Sequence, residues 1–488
     1  MLHTDSFYQK IWKNIINSKE IFYIDSLNNK KSYKELSKNI KKMTHIFLDQ
    51  KNQSTVIIAK KSFYHYCAII GTVLSGNTWI PLSLENPIER NLKVISNLKP
   101  KLILTDQKFS HEILDIFEKL NIKILILNDI FENSILNENN FTLNSNFKKN
   151  DLSMIYFTSG STGVPKGVKI SHQNLSTSVT RIFPLLNINR EIWGDYHDLS
   201  FVISIPILFV CIYSGGTIYA ALKKLDEFIP TKTLIENKVS CFITVPSTLE
   251  RISKHKRFRE IFSSLKTIVS CGEPLPINIM ELYLQNPNTN FFNFYGSTEV
   301  SPWIFFHKCE IEDVLKYGDY GYAPIGKYIE GNEITITKEN LLLVRGPQVT
   351  LGYYGQEGTS HLLDYKEKKW FSMGDVVQKI DDIYMCKGRL DSQIKLNGYR
   401  IHLMDIETQI KKNIDIDDCL CLTKDINGQK IITAILITKK NIMINQLRDF
   451  LNNKLPNYMI PRKVFCVKDK PVNKNGKLDR VKLKQLIM

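Results

Sequence analysis

Residues 156–167 read Tyr-Phe-Thr-Ser-Gly-Ser-Thr-Gly-Val-Pro-Lys-Gly, and no other stretch restricts the fold of this chain as strongly. The glycines let the backbone take φ of either sign and approach an anion closely, and the interleaved hydroxyls offer donors without bulk. Lys166 adds a mobile positive charge. The β-prone run Met154-Ile155-Tyr156-Phe157 leads in, and Val168-Lys169-Ile170 leads out towards a helix capped near Ser171 or His172. Most Gly/Ser/Thr clusters are plain loops. Here closure by Pro165-Lys166-Gly167 between apolar segments points instead to an ordered phosphate-handling loop. It is not a Walker A loop, which requires Gly-Lys followed at once by Ser or Thr.

A chain of 488 residues can bury a large core and divide into more than one domain. Its 43% hydrophobic and 23% charged content is that of a globular enzyme, not of a disordered protein. The net charge of +16 invites a nucleic-acid reading, but the lysines are dispersed and no basic block carries interleaved aromatics. No nucleic-acid partner is expected. The nine cysteines follow neither a zinc spacing nor a disulfide framework, which predicts reduced, mostly buried thiols and a cytoplasmic setting. The N-terminus lacks the pattern of a signal peptide, and the most apolar segment, residues 201–213, contains Pro206 and is too short to span a bilayer. It reads as a buried core element, with no membrane insertion.

Along the first half, short apolar runs alternate with helical stretches. Runs at Val56-Ile57-Ile58-Ala59, Trp79-Ile80-Pro81-Leu82, 101–105 and 123–127 are separated by helices at 64–74 and 111–120, and Ser32-Tyr33-Lys34-Glu35 forms a capping box opening a helix through Phe47. This alternation predicts a helix-covered parallel sheet, continued by runs at 239–244 and 265–270. Residues 331–387 are turn-rich and β-like, a smaller β subdomain. After Gly388-Arg389-Leu390-Asp391 a compact α+β segment follows, with helices near 403–412 and 444–454 and strands at 419–423 and 431–438. The expected organisation is α/β: a large N-terminal domain, 1–390, of helix-covered sheets with the β subdomain, and a small mobile α+β lid domain, 391–488.

A second unusual stretch, Asn293-Phe294-Tyr295-Gly296-Ser297-Thr298-Glu299, sets a ring, a glycine, hydroxyls and a carboxylate within reach of one ligand. Aromatic rings stack on bases, and a carboxylate near a phosphate loop can hold Mg²⁺ together with phosphate oxygens. With the loop at 156–167, the chain resembles the adenylate-forming superfamily of acyl-CoA synthetases, luciferases and nonribosomal-peptide adenylation domains. The resemblance runs through almost the whole chain. It includes Lys31-Ser32-Tyr33-Lys34-Glu35-Leu36, Gly76-Asn77-Thr78-Trp79-Ile80-Pro81-Leu82, Cys271-Gly272-Glu273-Pro274-Leu275, Trp370-Phe371-Ser372-Met373-Gly374-Asp375, residues 388–395, and Asn475-Gly476-Lys477-Leu478-Asp479-Arg480.

That resemblance implies roles residue by residue. Thr158, Ser159, Gly160, Ser161, Thr162, Gly163 and Lys166 would hold the β,γ-phosphates of ATP. Glu299 would sit on Mg²⁺ and Thr298 near the α-phosphate. Gly272, Glu273, Pro274, Asn293 and Tyr295 would line the adenine, with Gly296 in the same cofactor-binding set, while Asp375, assisted by Arg389, would accept hydrogen bonds from the ribose hydroxyls. Lys477 would stabilise charge as the substrate carboxylate attacks phosphorus. Asp391 would be the hinge about which the lid turns, and Lys395 and Gly398 would flank the path of a pantetheine arm.

Departures from the family pattern concern the acid. Amino-acid adenylation domains commonly carry Phe-Asp-x-Ser, whose Asp binds the α-ammonium; the gap-free alignment puts Phe201-Val202-Ile203-Ser204 there, with Val202 at the Asp position. An apolar group cannot pair a desolvated ammonium. With a small insertion, His197-Asp198-Leu199-Ser200 matches and Asp198 supplies the carboxylate. The remaining pocket walls would be Pro206, Thr244, Val269, Cys271, Phe294, Pro302 and Trp303, a small apolar set. Ser83 replaces an Asp usual after Pro-Leu, and His402 stands where Glu is usual.

The reaction implied is activation of a small amino or carboxylic acid as its acyl-adenylate with pyrophosphate release, followed by transfer to a thiol. The chain is closest in type to stand-alone amino-acid adenylation enzymes such as D-alanine–carrier protein ligases. It ends just past the Lys477 loop, so the expected acceptor is a separate phosphopantetheinylated acyl or peptidyl carrier protein, and a basic chain would attract its acidic surface. The alternatives are an acid–CoA ligase and a catalytically silent nucleotide-binding homologue.

Overall fold

The computed structural model describes residues 3–47, 52–133, 148, 150–158, 165–356, 361–389, 393–413, 415–426, 429–469, 471 and 480–485. The chain divides into two compact units. The larger comprises Met1–Ser83, Lys99–Phe157 and Gly167–Leu390; the smaller comprises Leu84–Leu98, Thr158–Lys166 and Asp391–Met488.

The larger unit carries three sheets. The first has nine strands in the order Lys327–Tyr328, Phe305–Lys308, Asn290–Tyr295, Thr267–Cys271, Cys241–Thr244, Ile192–Asp195, Thr217–Ala220, Ile21–Asp25 and Lys30–Ser32. The six from Asn290–Tyr295 to Ile21–Asp25 run parallel, and the outer strands join antiparallel. Parallel strands are covered on both faces, which is why Cys241–Thr244 and Thr267–Cys271 are buried at every position, the polar Thr244, Thr267 and Ser270 included. The second sheet has the order Lys123–Ile126, Leu102–Thr105, Ser54–Ile58, Thr78–Pro81, Leu152–Thr158 and Lys166–Ser171. The expected alternation of strands and helices is thus observed. The third sheet joins Glu333–Ile336, Leu341–Arg345, Leu362–Tyr365, Lys368–Ile380 and Ile383–Arg389.

Local signals act where the sequence puts them. Ser32 caps Tyr33–His45 through a full capping box with Glu35, and Ser171 caps His172–Leu186 through one with Asn174. Within residues 201–213 the stretch 204–212 is buried, but part of it, Pro206–Val210, is a π-helix, a conformation that apolar periodicity does not reveal. Among the described residues no helix is long and apolar enough to cross a membrane. None of the nine cysteines forms a disulfide, and only Cys386 and Cys466 are not buried.

In the smaller unit, Gln393–Leu396 and Tyr399–His402 form a hairpin whose turn, Asn397-Gly398, has φ of +50° and +81°. Two successive positive φ values define the primed turn for which Asn-Gly is the favoured pair. Helix Leu403–Ile410, the strands Asp418–Ile426, Gln429–Ile437 and Lys463–Val467, and helix Ile444–Asn452 follow. Tyr399 stacks on Tyr458 with ring centroids 3.8 Å apart.

Candidate functional site

The functional side chains of the nine-stranded sheet gather where its parallel strands end. Thr244, Cys271, Tyr295 and Asp195 are the last residues of their strands, the edge at which open α/β sheets bind ligands. Side chains alternate across a sheet, so one strand can serve two sites. On Asn290–Tyr295, Phe294 faces the core that holds Val269, Cys271 and Trp303, whereas Tyr295 packs with Phe371 and Met373 of the third sheet.

On the Tyr295 side the polar groups are paired. The Tyr295 hydroxyl donates to Asp375 Oδ2 at 2.6 Å, and Arg389 Nη1 reaches the same oxygen at 3.0 Å. Asp375 and Arg389 face each other in register across adjacent strands. Burial, and then the neighbouring Asp375, push the Tyr295 phenol well above its ordinary pKa, so it stays a donor. Asn293 donates to the Pro324 carbonyl at 2.8 Å. Glu273 Oε2 accepts from the Ser247 amide at 3.1 Å, capping the helix Pro246–Ser253, and so pins the turn in which Gly272 has φ +84° and Pro274 follows. The Ser297 hydroxyl is buried and has no hydrogen-bond partner among the described residues.

Glu299 is buried beside the exit strand of the glycine-rich loop. Its Oε1 accepts from the Tyr353 hydroxyl at 3.2 Å, its carbonyl accepts from the Thr350 amide, and the same segment reaches Lys166–Ser171 through Tyr354 N to Gly167 O at 2.7 Å. The two motifs are therefore joined by segment 350–354, a connection with no local signal. Thr298 is buried next to Glu299. Thr158 and Lys166 lie at the strand ends flanking the loop, and Thr158 Oγ1 contacts the Lys166 carbonyl at 3.4 Å. Ser159, Gly160, Ser161, Thr162 and Gly163, the expected hinge residue Asp391 and Lys477 lie outside the described residues. Lys395 and Gly398 sit on the hairpin of the smaller unit.

On the Phe294 side the surroundings are apolar. Phe294 packs on Trp303 with centroids 4.6 Å apart, and Val202 and Ile203 pack against the same core as Val269 and Cys271. Pro206 is buried, while Phe201 is only partly so. A Cβ on Gly296 would lie 2.0 Å from the Pro302 carbonyl oxygen, so only glycine lets this strand end approach residues 302–303. One expected wall residue is set apart. Thr244 is in register with Ser270, which pairs with Asn293, so the pleat puts Thr244 on the face opposite Val269, Cys271 and Phe294.

Asp198 lies just beyond Ile192–Asp195. Ser83 Oγ donates to its Oδ2 at 2.7 Å and the Ser200 amide to its Oδ1 at 2.8 Å. Burial opposes its charge, but the hydrogen bonds from Ser83 and Ser200, with Lys61 further off, outweigh this and lower its pKa. Among the described residues no cation lies within ion-pair distance of it. Lys61 pairs with Asp195 at 3.4 Å and Glu227 at 3.5 Å. The pairing of Ser83 with Asp198 was not legible in sequence, since the two lie on different sheets.

The match to known proteins follows this geometry. The model of the AMP-binding enzyme family matches residues 17–354. The chain is 28% identical over 474 residues to a D-alanine--D-alanyl carrier protein ligase of Staphylococcus epidermidis, covering 94% of this chain and 95% of the relative. Among solved structures it resembles the amide bond synthetase McbA of Marinactinospora thermotolerans, with a TM-score of 0.86, 17% identity and 99% of both chains covered. It also resembles the Vibrio cholerae adenylation domain AlmE, crystallised with glycyl-adenosine-5'-phosphate, with a TM-score of 0.80, 19% identity, and 98% of this chain and 97% of that one covered. This chain belongs to the AMP-binding enzyme family and has the fold of adenylate-forming enzymes.

Proposed function

We propose that this protein is an AMP-forming ligase that activates a small amino acid with ATP and transfers it to the phosphopantetheine thiol of a separate carrier protein. The observation that carries the amino-acid reading is Asp198, a carboxylate held by neutral donors with, among the described residues, no cation within ion-pair distance. A carboxylate has about four lone-pair sites, so these donors leave room for a substrate ammonium. The apolar neighbours Val202, Ile203, Val269 and Cys271 suit a small side chain, and the carrier-ligase relatives support the same acceptor.

In this reading the substrate carboxylate oxygen forms a bond to the α-phosphorus while the bond to pyrophosphate breaks. Asp375 accepts the ribose hydroxyls, held by Tyr295 and Arg389. The buried Ser297 hydroxyl, without a partner among the described residues, and the close approach made possible by Gly296 fit a nucleotide at this strand end. Gly272, Glu273, Pro274 and Asn293 line the adenine; Thr158, residues 159–163 and Lys166 cradle the phosphates, with Thr298 near the α-phosphate. Glu299 is a hard oxygen ligand of the kind Mg²⁺ takes with substrate phosphates, and the ion would neutralise charge on the departing pyrophosphate. Lys477 stabilises the charge developing at the α-phosphate. Residues 1–390 and 391–488 are the functional domains, Asp391 is their hinge, Lys395 and Gly398 flank the pantetheine arm, and the protein works in the cytoplasm.

The test is ATP–pyrophosphate exchange over a panel of small amino acids and their des-amino analogues, followed by competition between phosphopantetheinylated carrier proteins and CoA. The expected result is exchange with an amino acid and loading of a carrier. Efficient acyl-CoA formation with no carrier loaded would replace this reading by an acid–CoA ligase. ATP binding without exchange on any acid would indicate a silent homologue.

A further inference from the structure

Ser83 follows the strand Thr78–Pro81 of the six-stranded sheet, and Asp198 follows Ile192–Asp195 of the nine-stranded sheet. Their hydrogen bond, 2.7 Å long, joins the two sheets and is the contact that fixes Asp198 Oδ2. Ser83 is itself buried. Its hydroxyl is a neutral donor, so it stabilises the carboxylate without neutralising it. A lysine at the same point would satisfy Asp198 completely and exclude a second cation. A carboxylate there would compete for one proton, because like charges at hydrogen-bond distance cannot both ionise.

We infer that Ser83 is a positioning residue for amino-acid specificity: it holds the Asp198 carboxylate ionised and aimed, so that the site selects an acid bearing an ammonium group. The inference rests on the reading of Asp198 as the ammonium partner and adds the residue that makes it selective.

The other groups around Asp198 leave this task to Ser83. Ser200 binds Oδ1 from the same loop and so cannot fix Asp198 against the neighbouring sheet. Lys61 acts on Asp198 only at longer range and is held by Asp195 and Glu227. His65, on the helix Phe63–Leu74, feels the Asp198 charge, but burial lowers its pKa to about 4, so it is neutral at physiological pH. Its Nδ1 lies 3.2 Å from the Lys60 carbonyl, and its buried Nε2 has no partner. The Tyr156 hydroxyl, also within the field of Asp198, is bound to Ser204 at 2.8 Å. Asp195 is engaged by Tyr66 and Lys61. Among the described side chains outside the Asp198 loop, Ser83 is the one with a direct hydrogen bond to it.

The experiment measures pyrophosphate exchange with the cognate amino acid and with its des-amino analogue, across pH, for wild type and for Ser83→Ala, Ser83→Thr, Ser83→Cys and Asp198→Ala. Loss of one hydrogen bond to a charged group predicts a rise of about tenfold in the amino-acid KM of Ser83→Ala. The kcat, the ATP KM and the des-amino reaction should be unchanged. Without the Ser83 donor the ionised form of Asp198 is less favoured, so the acid limb of the amino-acid profile should move to higher pH. Ser83→Thr should restore both properties, and Ser83→Cys, similar in size but a weaker donor, should fall between. If Asp198→Ala loses the amino acid selectively while Ser83→Ala and Ser83→Cys leave KM and the acid limb unmoved, the role of Ser83 is overturned and the ammonium site stands. Equal losses on both acids in the Ser83 variants would make Ser83 a structural strut and would also overturn it. Absence of selectivity in Asp198→Ala would remove the underlying reading itself.

Discussion

Asp375 and Asp198 are carboxylates in opposite electrostatic circumstances. Asp375 is bonded by Tyr295 and paired with Arg389, so its charge is already balanced. Asp198 is bonded by the neutral donors of Ser83 and Ser200, and no cation lies within ion-pair distance of it among the described residues. A compensated carboxylate suits neutral hydroxyl ligands, whose hydrogen bonds it accepts without seeking further charge. An uncompensated one in protein interior is costly unless a cation joins it. In the proposed reading the difference lets a balanced carboxylate of the five-stranded sheet hold the ligand common to every reaction, and an unbalanced one beyond the nine-stranded sheet select the acid.

The largest effect should come from a residue that both sides need. Lys477→Ala should lower adenylate formation by about a hundredfold or more with every acid, while sparing thiol transfer from preformed acyl-adenylate. Adenylation within a few-fold of wild type would remove Lys477 from the mechanism. Asp375→Ala should come next, with exchange reduced by roughly a hundredfold for all acids alike, since hydrogen bonds to charged groups contribute about 1.5–3 kcal/mol each. A loss confined to one acid would break the comparison from the nucleotide side.

Asp198→Ala should lower exchange by roughly ten- to a hundredfold for the amino acid and leave the des-amino analogue near wild type. Its pH behaviour sharpens the point. The folded-state pKa of Asp198 lies below the ordinary value, so the ionised form persists as pH falls through the usual carboxylate range near 4. The stability this brings is present above the unfolded-state pKa and is lost only as pH falls through the lowered folded-state value. Ammonium binding, followed by calorimetry while the fold is monitored by circular dichroism, should therefore survive through that range. Loss of binding well above it would contradict the lowered pKa. The smallest effect is expected from Tyr353→Phe, which removes the 3.2 Å bond to Glu299 and should reduce kcat several-fold by removing about 1 kcal/mol of support. Unchanged kcat across Mg²⁺ concentrations would show that Glu299 does not depend on this contact.

Much of the fold was legible in sequence because its signals are local. The helix caps at Ser32 and Ser171 and the buried runs at Leu102–Thr105 and Thr267–Cys271 each depend on residues a few positions apart. The order of the motifs along the chain likewise placed Tyr295, Glu299 and Asp375 in one family of sites. The π-helix Pro206–Val210 escaped, because an apolar run has the same composition in either kind of helix.

By itself the sequence determined which chemical groups are present, the elements that carry them, and the family they serve. Tertiary structure alone decided their partners. Parallel strands are joined by long crossovers, so neighbours across a sheet are distant in sequence and their register is set by packing of both faces. That is why Thr244 falls in the row of Ser270 and Asn293, and why Glu299 is tied to Tyr353. It is also why Ser83 meets Asp198: a hydroxyl on one sheet and a carboxylate on the other become a hydrogen-bonded pair only when the two sheets pack.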